Sequence, residues 1–265
     1  MEKILKKHWL LIVLLSIPYF LIVLSGVIRI NYDMTSPGDL NKVGNVISVE
    51  GAKEEGSFNT VSVYSVEKVT LLTFCIGMLD RIVDLEESSE LIQMTNQESY
   101  TSGTIQKNVS INNAIILAYN QANKKIESEY QGLIVHTVFK DFKYDIRIGD
   151  IITKYNNEEV TDAISFKNKL INDVRENNSI ILTINRDGKT CDIMYEPIYT
   201  EDKKSFYIGL SFYDYYTIVD GSANPEYELN KSNTLGPSGG LMQALSVYNA
   251  ITEDDLTKGR KIAGT

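Results

Sequence analysis

Asn233-Thr-Leu-Gly-Pro-Ser-Gly-Gly-Leu-Met242 sets one serine, Ser238, at the head of a segment that then turns almost wholly apolar: Leu241, Met242, Ala244, Leu245, Val247, Tyr248, Ala250 and Ile251. A helix apolar on most of its faces is a buried helix. The Gly236-Pro237 pair before it suits a tight turn, and proline is tolerated near a first helical turn. Ser238 is then expected where unpaired backbone N–H groups and the positive end of the helix dipole point outward. Such a place stabilises a developing oxyanion beside a serine nucleophile. The plain alternative is that Ser238 only caps the helix, since serine is favoured there whatever the function.

Working outward, the N-terminus decides the compartment. From Trp9 to Ile28 no residue is charged, and Leu, Ile and Val dominate. A helix of that length crosses a hydrocarbon core of roughly 30 Å. Lys3, Lys6 and Lys7 precede the run while Arg29 and Asp33 follow it, which favours an inside N-terminus. Pro18 is expected to kink the span, and Trp9 to anchor it at one interface. A cleavable signal peptide is the rival reading. The run exceeds a typical signal core, and no small-x-small cleavage site precedes Arg29, so an anchor is expected with the bulk of the chain outside the cytoplasm.

Composition narrows the function. A net charge of −9 leaves no basic stripe to displace phosphate counterions, so nucleic acid is not expected as a partner. Cys75 and Cys191 lack metal-ligand spacing; buried free thiols are expected, with a single disulfide open as the alternative. No metal or cofactor motif occurs, and no phosphate-binding Gly-x-x-x-x-Gly-Lys-Ser/Thr loop.

Along the chain, Val43–Val49 and Phe58–Val66 alternate as half-buried strands do, with Gly51–Gly56 as their turn. Thr35-Ser-Pro-Gly38 is expected to mark the membrane exit. Thr70–Leu85 reads as a helix and Glu86–Ser102 as a polar loop. Ile111, Ile115, Ala118, Ala122 and Ile126 form one helical stripe, for which Ser110 is the expected cap. From about Glu129 a second module opens. Gly132–Phe139 reads as a strand, Ile146–Tyr155 as a turn into another, and Ala163, Phe166, Leu170 and Val174 as helical spacing. Ser179–Asn185 and Lys189–Tyr195 form a hairpin about Arg186-Asp187-Gly188, where Asp-Gly is a strong turn signal. Phe206–Phe212 is expected as a further strand, and Asp214–Asn233 as a loop-and-strand approach to Ser238.

The Gly236-Pro-Ser-Gly-Gly-Leu-Met242 and Asp255-Leu-Thr-Lys-Gly-Arg-Lys-Ile-Ala-Gly-Thr265 segments resemble signatures of the Lon-type serine/lysine proteases. More closely, the whole chain resembles the membrane-anchored, PDZ-containing Lon-like proteases of Gram-positive bacteria. The resemblance implies an α+β fold with four parts. Residues 1–30 form the cytoplasmic N-terminus and transmembrane helix, and 31–128 the first part of the protease domain. Residues 129–197 form an inserted PDZ domain, and 198–265 the second, incomplete part of the protease domain. Arg147-Ile-Gly-Asp-Ile-Ile152 resembles the PDZ "x-x-G-D-x-I" turn, though any small α+β domain with a hairpin is the alternative. By the same resemblance Gln131, Gly132, Leu133 and Ile134 form the carboxylate-binding loop of a domain that captures peptides by strand addition.

The implied chemistry is ATP-independent serine endopeptidase action on secreted or membrane peptides and proteins. Ser238 is the nucleophile, and the N–H groups at Ser238 and Gly239 are oxyanion donors. Lipid is met through the N-terminal helix, and the oligomeric state stays open. The family's base is a desolvated lysine lying beyond the Ala-Gly-Thr at which this sequence stops. No residue here matches it, Lys258 and Lys261 being expected in a surface turn, so the chain as given is expected to be inactive. His8 and His136 are poor bases: one lies at the membrane, and the other is expected on a strand, facing solvent or a groove. Two further departures are Leu235, where classical Lon proteases carry an acid, and Gly239, where alanine is usual. A non-catalytic, membrane-anchored PDZ peptide-binding module is the rival function.

Overall fold

The computed structural model describes residues 2–52, 55–89, 91–92, 94–176, 180–196, 198–199 and 206–265. In chain order the elements are α1 (Glu2–Val27), β1 (Tyr32–Lys42), a 3-10 turn (Val43–Asn45), β2 (Ile47–Val49), β3 (Ser57–Val66), α2 (Leu71–Gly77), β4 (Asp84–Glu87) and α3 (Asn96–Gln121). There follow β5 (Ser128–Val138), β6 (Ile151–Tyr155), β7 (Glu158–Glu159), α4 (Ala163–Glu176), β8 (Ile180–Arg186) and β9 (Lys189–Tyr195). The chain closes with β10 (Ile198–Tyr199), β11 (Phe206–Tyr207), β12 (Leu210–Ile218), β13 (Tyr227–Leu229), α5 (Gly240–Ile251) and β14 (Lys261–Gly264). The fold is thus mixed α+β. The boundary expected at Pro197 lies outside the described residues, as does the expected strand start at Ser179.

Two bodies form. The first takes the chain through Asp39 together with Val63–Ser89. Its α1 is long and apolar enough over His8–Val27 to cross a membrane, and none of that stretch is buried. The backbone leaves helical angles at His8 (φ −116°, ψ 16°), and Pro18 lies inside the helix. Thr35-Ser-Pro-Gly38 is no exit loop. It lies inside β1, which pairs antiparallel with β4 from Tyr32↔Glu87 to Thr35↔Asp84. The helix expected over Thr70–Leu85 is cut to one short element, with Thr70 capping it by accepting from Thr73 N at 3.2 Å.

The second body holds two cores. In one, a sheet of order β12-β5-β6-β8-β9, with β7 on β6, is covered by α4. Leu133, Val135, Ile152, Leu170, Ile180, Leu182 and Ile184 are buried there, as alternation and helical spacing demand. The Asp187-Gly188 turn has positive φ at both residues (52° and 80°), the backbone a two-residue hairpin loop requires. In the other core, α3 and α5 pack with β2 and β3 around Ile115, Tyr119, Phe58, Val43 and Val247. Here β14 runs parallel to β3 from Lys261↔Ser57 to Gly264↔Thr60, and β13 pairs with β2.

Several local expectations give way. Val43–Asn45 is a 3-10 turn, so only Ile47–Val49 of the expected strand survives. The expected Glu86–Ser102 loop contains β4 and the start of α3. There Thr95 and Glu98 form a reciprocal capping box, Glu98 N donating to Thr95 Oγ1 at 3.2 Å and Thr95 N to Glu98 Oε2 at 2.8 Å. Ser110 is therefore interior to α3 and caps nothing. The expected strand at Phe206–Phe212 breaks at Gly209 and resumes as β12. Cys75 and Cys191 are free and exposed, not buried.

Candidate functional site

Ser238 is exposed and precedes α5 by two residues. The N-cap is Gly239, in left-handed backbone (φ 96°, ψ 0°), with no side-chain cap; the capping role open to Ser238 falls to its neighbour. A Cβ at Gly239 would lie 2.4 Å from Thr60 Cγ2 on β3. Glycine at 239 is therefore fixed by backbone sign and by close approach. The usual alanine of the resembled motif would be strained in this geometry.

The approach to the serine is held by one face of α3, at positions i, i+4 and i+7. Gly103 O accepts from Gly236 N at 2.9 Å. Lys107 Nζ donates to Ser232 O at 3.1 Å, and Ser110 Oγ donates to Pro237 O at 3.0 Å. Sequence reasoning missed this trio. A glycine within the helical stretch and a serine misread as a cap were the signals available.

Pro237 and Gly240, on either side of the Ser238-Gly239 pair, line a cavity of about 310 Å³. Its other walls include Val109, Ala114 and Leu117 of α3, Leu241 and Ala244 of α5, and Tyr213 of β12. The cavity is mostly apolar and suits an aliphatic or aromatic side chain. Near the start of α5, Gln243 is buried, and its Oε1 has no hydrogen-bond partner among the described residues. A buried acceptor of this kind is completed by an N–H or O–H donor.

The residues expected to form a carboxylate loop lie elsewhere. Gln131, Gly132, Leu133 and Ile134 are in β5, a strand and not a loop. At Leu133 and Ile134 that strand is paired on both sides, with Asp214 and Tyr213 of β12 and with Ile152 and Ile151 of β6. Gly132 has φ 123°, and a Cβ there would meet Ile152 O at 2.5 Å, so strand packing accounts for the glycine. In this sheet order β12 and β9 stand at the ends. β12 borders α4, with Phe166 and Phe212 edge-to-face at 5.2 Å and Ala163 N donating to Asp214 Oδ1 at 2.9 Å.

His136 is half-buried on β5 and stacked on Tyr213 at 4.3 Å. Burial holds its imidazole below the ordinary value. Lys258 occupies an exposed turn with φ 50°, whereas Lys261 opens β14, so only the first keeps its expected place. The Gly149-Asp150 turn is built around a buried carboxylate. Asp150 accepts from Arg147 N at 2.7 Å and from Arg186 Nε and Nη2 at 2.8 and 2.7 Å. That pairing raises the Arg186 guanidinium further above its ordinary value. No group of three or more metal-ligating side chains occurs among the described residues.

No protein-family model matches the chain, and no curated protein matches it at a significant level.

Proposed function

We propose that the chain carries the serine nucleophile, Ser238, of a membrane-tethered, ATP-independent serine endopeptidase of the Lon-like Ser/Lys class. The observation that carries this reading is an exposed serine just before a helix N-terminus whose N-cap is a glycine, beside an apolar cavity. Ser238 Oγ attacks the scissile carbonyl. Backbone N–H groups at Gly239 and the first turn of α5 receive the oxyanion, and the cavity takes an apolar substrate side chain. The base is a lysine by resemblance, and no lysine of this sequence occupies the family's position for it.

The 129–197 segment, with β12 added, serves as the PDZ-like reader of substrate. Backbone addition falls to the β12 edge beside α4, because β5 is paired on both sides at Leu133 and Ile134. The same edge supports the rival reading, a peptide-binding module without catalysis. The apolar α1 tethers either one to the membrane.

The test is cleavage of apolar-containing peptides by the chain in detergent, as given and extended through its downstream coding sequence. Cleavage lost in Ser238→Ala supports the endopeptidase. Peptide binding that persists without cleavage in both forms supports the module and ends the protease reading.

A further inference from the structure

The first body carries a second apolar surface joined to the end of α1. Leu71 N donates to Ile28 O at 2.8 Å and Ile30 N to Val69 O at 3.0 Å. Arg29 and Thr70 form a β-bridge, and the Tyr32 and Phe74 rings lie 4.7 Å apart. These bonds fix α2 at the level where the apolar run of α1 stops. After α2 the chain turns through Met78-Leu79-Asp80-Arg81-Ile82. Met78, Leu79 and Ile82 are 67%, 86% and 69% exposed, and Ile76 on α2 is exposed as well. Large apolar side chains grouped this way mark a contact surface. The turn is held from within, Asp80 Oδ1 accepting from Ile82 N at 3.1 Å.

We propose that Leu71–Ile82 is a second membrane contact, which seats Ile76, Met78, Leu79 and Ile82 in the headgroup and upper acyl region of the bilayer that α1 crosses. The inference rests on reading α1 as a span. Lipid is the favoured occupant because the surface is hydrogen-bonded to the end of that helix and continues its exposed apolar residues Leu24, Val27 and Ile28. It is therefore held beside the bilayer before any partner arrives. An interfacial apolar face sits about 5–10 Å into the headgroup–acyl boundary. Arg29 and Arg81 can lie along it with their guanidinium groups at the phosphates. Two attachments, one spanning and one lying on the surface, fix the tilt of the first body relative to the membrane normal.

The experiment uses the full chain with Cys75→Ser and Cys191→Ser, in vesicles of phosphatidylcholine and phosphatidylglycerol. An environment-sensitive nitrobenzoxadiazole probe is placed at one site at a time: Leu79→Cys, Ile82→Cys, Ile17→Cys within the span, and Thr190→Cys on β9. Emission from positions 79 and 82 is expected to fall at least about twofold when the lipid carries a shallow spin label. Ile17 should respond to a deep spin label, and Thr190 to neither. A quenched Ile17 with unquenched 79 and 82 overturns the second contact and leaves the span standing. An unquenched Ile17 removes the span and the proposal with it. Blue-shifted but unquenched probes at 79 and 82 overturn the proposal too, because protein, such as a second copy, then covers the surface.

Discussion

Arg186→Met is the sharpest test of how the Gly149-Asp150 turn is held. Asp150 is only 2% exposed, and Arg186 supplies two of the three hydrogen bonds its carboxylate accepts among the described residues. The substitution keeps the volume and apolar stem but leaves a buried carboxylate with one backbone donor. Breaking a buried pair from one side costs about 3–5 kcal/mol, since the remaining charge stays desolvated. The loss should open β6, β8 and β9 together, because the pair joins the turn before β6 to the end of β8. Hydrogen exchange by mass spectrometry is the suitable readout, as the single tryptophan, Trp9, lies in α1 and reports nothing of this sheet. At about 1.4 kcal/mol per factor of ten, amides over 180–195 should exchange roughly two to three and a half orders of magnitude faster. Adding Asp150→Asn removes the orphan charge and should recover part of the loss. A change below about tenfold would refute the reasoning.

Other outcomes follow from single observations. Gly239→Ala should lower stability by at least about 1–2 kcal/mol, the cost of left-handed backbone for an L-residue, with the Thr60 contact adding to it; a neutral result in a thermal melt would mean the turn relaxes. Thr95→Ala removes the hydroxyl half of the capping box, leaving the Thr95 N–H to Glu98 Oε2 bond in place, and should cost about 1 kcal/mol, read as faster exchange confined to the first turn of α3. For His136, burial depresses the folded pKa, so the unfolded chain takes up the proton first. Its contribution to stability is complete above the unfolded value of about 6.5 and is lost as pH falls through the lower folded value. Urea midpoints of the native chain should therefore drop across that window more steeply than those of His136→Gln.

The sheet built on β5–β9 was legible because its signals are local. Alternation over 132–139, helical spacing from Ala163 to Leu170 and an Asp-Gly turn each speak through neighbours a few residues apart. The first hundred residues were harder. Thr95-x-x-Glu98 is a cap signature that a polar run disguised as loop, and Pro37 lies within a strand although proline argues for an exit turn. Ser110 shows the opposite error: a good cap residue spent inside a helix, where its hydroxyl finds the Pro237 carbonyl instead.

By itself the sequence determined the apolar span, the acidic balance, the periodicities and the one serine set before a buried helix, since composition and spacing are properties of the chain alone. Only the tertiary structure decided that Gly239 and not Ser238 caps α5, that Gly103, Lys107 and Ser110 hold its approach, and that β12 closes over β5 at the expected peptide loop. Those outcomes depend on backbone sign and on pairings between residues a hundred or so positions apart, and no local pattern encodes either.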